Sequence, residues 1–257
     1  MVPSDIAAIL YSVVLLAISG ASPPAWAAQA PVMELDHAYI LVPPGGAAAI
    51  HALLQIGIVV DTEPERHDGE GTTSIAAFFE NAYLELMWVD STVAVDSAHQ
   101  VDMAGFRRGT AWSQTGASPF GIGLHFLSGS PSDLEIPFQL DAVPGDGTRG
   151  YYVLLRQPVE SLAPDVFVMP PEGAVTSWID RYRGRRPDLF AHPAGPRRIT
   201  RVVVKGSAEQ HPLAASLDLR LVTFEDAKNP TLFVEFDGGR RGKTWDLRPS
   251  LPLVLTQ

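Results

Sequence analysis

Between residues 34 and 90 the chain switches between two hydrophobic periods. Residues 35–42 alternate, with Leu35, His37, Tyr39 and Leu41 on one side of an extended segment and Asp36, Ala38, Ile40 and Val42 on the other. Pro43-Pro44-Gly45-Gly46 ends that strand. Ala47, Ile50, Leu53 and Leu54 then recur at helical spacing, and Gly57 supplies a C-terminal stop. A β-branched run at 58–62 and a second run at 72–80 predict two more strands, the latter ending at a turn through Glu80-Asn81-Ala82. In 83–89, Tyr83, Glu85 and Met87 share one face, and Leu84, Leu86 and Trp88 share the face that can cover the helix. The predicted order is strand, helix, strand, strand, strand.

Two residues break the apolar character of these strands. His37 lies in the first and Glu85 in the last. Burying such groups is costly unless each finds a partner. Both are also ligands for divalent metals. The strand phases let both point away from the helix-packed face, so a shared ion is a chemical expectation as well as a structural one.

The Leu35-Asp36-His37 strand, the stretch Arg66-His67-x-Gly-x-Gly71-Thr72, Tyr83-Leu84-Glu85-Leu86 and Ala191-His192-Pro193-x-Gly195 together give the chain a family likeness. The chain resembles the vicinal-oxygen-chelate superfamily of glyoxalase I, extradiol dioxygenases and bleomycin-resistance proteins, and within it the glyoxalase-like domain proteins. The resemblance covers most of the chain after residue 33 and is most specific over 34–90. It implies an α+β fold of paired βαβββ modules whose curved antiparallel sheets form a cleft. It also implies metal ligands at the first and fourth strands of a module, here His37 and Glu85.

After residue 90 the pattern is less regular. Residues 91–118 read as polar loop and short helix bearing Arg107, Arg108 and Trp112. Strands are predicted at 121–127, 151–156 and 165–169, a short helix at 177–183, and a Pro- and Arg-rich linker to 198. Strand, helix, strand, strand then recurs at 199–205, 210–217, 220–224 and 232–236, and the tail 247–255, with Pro249 and Pro252, reads as an edge segment. Residues 198–257 thus form a last module, and 91–197 an irregular or degenerate middle.

Either can pair with the first module. If the middle pairs, the resemblance sets His125 of Gly-Leu-His125-Phe against His37, and the fourth-strand position falls near Met169. If the last module pairs, Glu235 matches Glu85 and Arg201 matches His37. Neither reproduces a full glyoxalase I ligand set. The set His37, Glu85 and His125 has the two-histidine, one-carboxylate form that suits Fe(II), and also Zn(II) or Mn(II). The bland alternative is a core histidine and a Glu85 paired with Arg107 or Arg201. Tyr39, Tyr83, Trp88 and His192 are the candidate ligand contacts, with Trp112 as a further stacking surface. His67 reads as a rim residue, His192 alternatively as a loop hydrogen bond, and His51, His99 and His211 as surface.

Composition narrows the partners. A net charge of −10 without a long basic run argues against nucleic acid, and the absence of cysteine removes disulfides and thiolate chemistry. Residues 6–18 are almost continuously apolar and precede Ala25-Trp26-Ala27, a small-x-small cleavage pattern, although Asp5 stands where positive charge is usual. Residues 1–27 are therefore expected to be a cleaved signal, leaving a secreted or periplasmic protein without a stable membrane span. Two functions remain open: a metal-dependent lyase, isomerase or dioxygenase on a small oxygenated molecule, or a cleft protein that sequesters a small ligand.

Overall fold

The computed structural model describes residues 32–95, 104–134, 136, 138–142, 150–154, 163–206 and 218–257. The expected signal, the 210–217 helix, Arg156, His99 and His211, and the side chain of Arg107, lie outside the described residues. The fold is α+β. Its first segment runs β1 (Val32–Leu41), α1 (Ala47–Gln55), β2 (Glu65–His67), β3 (Thr72–Phe78) and β4 (Tyr83–Val89). Helix α2 (Ala104–Thr115) leads to β5 (Phe120–Ser128), β6 (Phe138–Ala142), β7 (Gly150–Leu154) and β8 (Asp165–Met169). Helix α3 (Val175–Arg185) then precedes β9 (Ile199–Gly206), β10 (Asp218–Arg220), β11 (Val222–Asp226), β12 (Thr231–Phe236), β13 (Thr244–Asp246) and β14 (Leu253–Thr256).

Of the two pairings open in the sequence, the structure has the first segment with the middle. One nine-stranded sheet runs β2-β3-β4-β1-β5-β8-β7-β6, with β10 added to the start of β1. Each half repeats one order: β4 lies parallel to β1, and β8 parallel to β5. The halves meet where β1 runs antiparallel to β5. The sheet curls into a half-barrel that forms a cleft. Between β5 and β6 a single 3-10 turn, Pro131–Asp133, stands where the first half has α1. The last segment builds a separate sheet, β11-β9-β12-β14-β13.

One core joins these layers. Leu53 of α1, Leu84 and Leu86 of β4, Ile122 and Leu124 of β5, and Val166 and Val168 of β8 cluster with Val202, Leu232, Val234 and Phe236 of the second sheet. The second sheet therefore covers the outer, helix-bearing side of the half-barrel and leaves its inner side to the cleft. Asn81 ties the layers further, since its amide exchanges two hydrogen bonds with the Ile199 backbone (2.9 and 3.0 Å). Gly57 ends α1 at positive φ, and a Cβ there would lie 2.8 Å from the Ala194 nitrogen, so only glycine lets the linker pass.

Several elements depart from the sequence pattern. Residues 58–62 are not a strand: Ile58 and Val60 are buried, but the segment crosses the sheet with isolated bonds such as Asp61 N–H to the Ala76 carbonyl. The strand is instead the polar triplet of β2, an edge with little burial to mark it. Leu221 adopts positive φ and splits the expected 220–224 strand into β10 and β11. The tail is no edge: β14 begins after Pro252 and lies between β12 and β13. No helix among the described residues is long and apolar enough to cross a membrane.

Helix α3 is docked by aromatic rings and one phenol. Trp178, Tyr182 and Phe190 surround Phe78. The Tyr182 hydroxyl donates to Asp61 (2.8 Å), and burial, then this bond, push its pKa up to about 12. The folded chain thus holds the phenolic proton more tightly than the unfolded chain, whose tyrosines ionise near 10. The stabilisation is complete below pH about 10 and lost as pH rises through about 12. Tyr182→Phe is expected to cost about 1 kcal/mol at pH 8, and urea melts of both proteins should converge as the pH approaches 12; a gap that persists there would contradict this account.

Candidate functional site

The site begins with an irregularity in β1. The β1–β5 register slips between Leu35 and His37, leaving Asp36 without a partner on β5. The slip reverses the alternation. Met33 and Leu35 enter the main core, and so do Ala38, Ile40 and Val42, while Tyr39 and Leu41 belong to a second cluster with Met87. Leu35 is therefore not on the face of His37, as uninterrupted alternation requires. The extra residue also brings Asp36 and His37 together, Asp36 Oδ1 lying 2.8 Å from His37 Nδ1.

Asp36 is 1% exposed and fully engaged. Its Oδ2 accepts the Val175 N–H at the start of α3 (2.7 Å) and lies 3.3 Å from His125 Nδ1. Burial pushes this carboxyl up, but His125, His37 and the Val175 N–H outweigh it and hold its pKa below the usual range. At His37 burial opposes the imidazolium, and the Asp36 hydrogen bond and charge outweigh burial, so its pKa is raised. Tyr83 stacks on the His37 ring at 4.4 Å, and Phe167 meets it edge-on at 5.3 Å.

With Nδ1 committed, His37 presents Nε2 to Glu85 on the adjoining strand, 3.9 Å from Oε2. The other Glu85 oxygen faces His67 Nε2 at 3.5 Å. The sequence pattern puts His67 at the rim; in the fold its ring lies beside Glu85. It is paired with Thr72 across β2 and β3, and Thr72, Ser74 and Ala76 occupy one face of β3 beside it. These small side chains leave room for the ring, whose Nδ1 lies 2.8 Å from Thr72 Oγ1 and whose Nε2 lies 3.3 Å from Ser74 Oγ. Arg201, a candidate partner for Glu85, is instead on the second sheet beside Glu225. Burial, modified by His67 and Glu85, raises the pKa of the nearby Glu70 carboxyl. The carboxylates here favour a cation over an anion.

The remaining candidates are dispersed. His125, 2% exposed, addresses Asp36 through Nδ1 and Glu34 through Nε2 (3.9 Å) rather than Glu85, and neither nitrogen has an aligned hydrogen bond among the described residues. Tyr39 lies on the inner face, its hydroxyl donating to Asp165 (2.6 Å), which also pairs with the buried Arg108 (3.0 Å). Burial and the Asp165 charge raise the Tyr39 pKa well above the usual value, and burial with the Glu85 charge does the same for Tyr83. Trp112 and Phe167 pack on Tyr39, Leu41 and Met87 in a second apolar cluster on that face. Trp88 is in the main core, on the side of α1, and does not line this face. His192 accepts the Val59 N–H at Nδ1 (3.0 Å) and donates from Nε2 to the Phe78 carbonyl (2.9 Å), so its ring latches the linker, and burial lowers its pKa. A cavity of about 750 Å³ lies elsewhere, lined by Glu34, Glu80, Asn81, Thr176, Arg183 and Arg198 among others; His37, His67 and Glu85 do not line it.

Two glycines on β5 make the inner face possible. A Cβ on Gly121 would lie 1.9 Å from the Tyr39 ring, and one on Gly123 would lie 2.8 Å from His37 Cε1. Gly121→Ala and Gly123→Ala are expected to destabilise by about 1–3 kcal/mol, through displaced rings. Gly184→Ala, in α3 with nothing within 4 Å of its Cβ, should instead stabilise by about 0.5–1 kcal/mol. Chemical denaturation of the three variants checks the contrast, and equal effects would refute it.

No family model matches the chain, and a search of curated proteins finds no match. Among solved structures, a hypothetical protein from Staphylococcus aureus superposes with a TM-score of 0.50 at 11% identity, over 87% of this chain and 98% of that one. A xylose isomerase-like TIM barrel/4-hydroxyphenylpyruvate dioxygenase fusion protein superposes with a TM-score of 0.41 at 10% identity, over 84% of this chain and 38% of that one. The first likeness is one of fold; what the chain does is read from its site.

Proposed function

We propose that the inner face of the half-barrel binds a small oxygenated molecule and acts on it with the help of a divalent metal ion held by His37 and Glu85. The observation that carries this reading is the opposition of His37 Nε2 and Glu85 Oε2 on adjacent strands, 3.9 Å apart, with the other ring nitrogen locked by a buried carboxylate. A carboxylate behind a histidine is the usual support of a metal-binding imidazole, since it fixes the tautomer and the ring orientation. The donor types suit Fe(II), Zn(II) or Mn(II). No three His, Asp or Glu side chains among the described residues already meet as a coordination sphere. Donors sharing one ion through bonds of about 2.0–2.2 Å sit roughly 3 Å apart, so a closure of under about 1 Å separates the present pair from that arrangement.

When bound, such an ion supplies Lewis-acid polarisation of a substrate oxygen. The chain supplies the rest. Tyr83 and Phe167 hold the His37 ring between them, and Tyr39, Leu41, Met87 and Trp112 keep water from one end of the face. Asp165 anchors the Tyr39 hydroxyl and so sets the position of that wall. The Glu85 and His67 side chains keep 12% and 20% of their exposure, so a ligand enters from the β2 side.

The aromatic lining supports one other reading, sequestration of a ligand without chemistry. Metal analysis separates the two. Purified protein, loaded with each of Fe(II), Zn(II) and Mn(II) in turn and dialysed, is expected to retain about one equivalent of at least one of them. His37→Ala and Glu85→Ala should each weaken binding by on the order of a hundredfold while the far-UV circular dichroism stays unchanged. Retention of no ion by the wild-type chain would sink the metal reading and leave sequestration. We further propose that residues 1–27 direct export; in the native host the mature mass should correspond to a start near Ala28, and a full-length chain in the cytosol would refute this.

A further inference from the structure

We infer that His67, and not His125, is the third donor of the proposed metal centre. The inference rests on the His37–Glu85 reading and names the residue that completes it. Glu85 divides its oxygens between two imidazoles, Oε2 towards His37 and Oε1 towards His67, and both rings approach through Nε2. Each ring has Nδ1 engaged behind it: His37 on Asp36 and His67 on Thr72, both at 2.8 Å. Two imidazoles offering the same nitrogen to one carboxylate, each with its other nitrogen engaged, supply the donor types of a two-histidine, one-carboxylate set that a small closure onto an ion would complete. Thr72, Ser74 and Ala76 of β3 are small enough to admit the His67 ring, and the Ser74 hydroxyl, 3.3 Å from the same Nε2, is the contact that an ion would replace.

His125 is directed elsewhere. Asp36 stands between it and His37, taking His37 on Oδ1 and facing His125 with Oδ2. Its other nitrogen faces Glu34. An imidazole whose two nitrogens address two carboxylates, neither of them Glu85, is placed to brace Asp36 against β5, which in turn fixes the His37 ring. His125 is then a positioning residue, and the metal donors come from β1, β2 and β4, all in the first half of the sheet.

Cobalt(II) loading of the full-length protein tests this without any knowledge of the substrate. Affinity is measured by calorimetry, and the exchangeable imidazole N–H signals shifted by the ion are counted by proton NMR. Two such signals are expected in the wild type. His67→Ala should remove one and weaken binding at least about tenfold, whereas His125→Asn and His125→Gln should keep both signals and weaken binding less than His67→Ala does. Circular dichroism confirms that each variant is folded, and the two His125 replacements guard against one of them failing to fold. If His67→Ala leaves both signals and the affinity intact, or if a folded His125 variant loses a signal, the assignment is overturned. If the wild type binds no cobalt, or if His37→Ala and Glu85→Ala bind as well as wild type, the metal reading itself has failed and the role of His67 falls with it.

Discussion

The buried carboxylate of Asp36 is the constraint around which the rest of the site is arranged. Three elements that share no sequence neighbourhood end on it: β1 through His37, α3 through the Val175 N–H, and β5 through His125. At 1% exposure this charge has no water to fall back on, and stripping a buried charge of its partner costs about 3–5 kcal/mol. The helix start is a suitable third partner, because its free N–H groups and partial positive charge favour an anion. Asp36 thereby does two jobs. It ties the start of α3 to β1, and it fixes which nitrogen His37 turns towards Glu85.

That carboxylate is available only because the β1–β5 ladder slips at Asp36. In an uninterrupted strand Asp36 and His37 would point to opposite faces, and the aspartate would enter the core beneath α1. The slip places both on the inner face, and the residues opposite must then be small. Gly121 and Gly123 meet that need at the two positions where the Tyr39 and His37 rings cross β5. The bulge and the glycines are one device, written in two segments more than eighty residues apart.

What could be read from the sequence follows from this. Strands β1, β3 and β4 and helix α1 of the first half are legible because they pack on a core, and packing imposes periodicity. So is the facing of His37 and Glu85 away from α1, since β4 keeps strict alternation with Tyr83, Glu85 and Met87 on one side. The bulge left no mark, because Leu-Asp-His-Ala reads as ordinary alternation. Strand β2 is hidden because an exposed edge carries no apolar pattern, and the same lack of pattern puts His67 at the rim; the signal that places it is the run of small residues Thr72, Ser74 and Ala76 alternating along the next strand. Residue type alone points Trp88 and His192 to the cleft, whereas their neighbours put Trp88 in the core and spend His192 on two backbone groups. The choice between the middle and the last segment as partner depended on strand pairing at long range, which no local pattern encodes.

The two halves of the half-barrel share one strand order and divide the work unequally. The first half brings Glu85, His37 and His67 to one place. The second contributes, at matching depth, glycines on β5 and Asp165 and Phe167 on β8, residues that make room, anchor Tyr39 and wall the His37 ring. Met169, paired with His125, holds in the second half the place that Tyr83, paired with His37, holds in the first. The curled sheet supplies a concave surface through the pairing of β1 with β5, and His37, His67 and Glu85, the proposed donors, all lie on the β1 side of that seam. On the proposed reading, a ligand in the cleft would meet His37, His67 and Glu85 on one wall and Gly121, Gly123 and Phe167 on the other, so the asymmetry of the two halves would orient it.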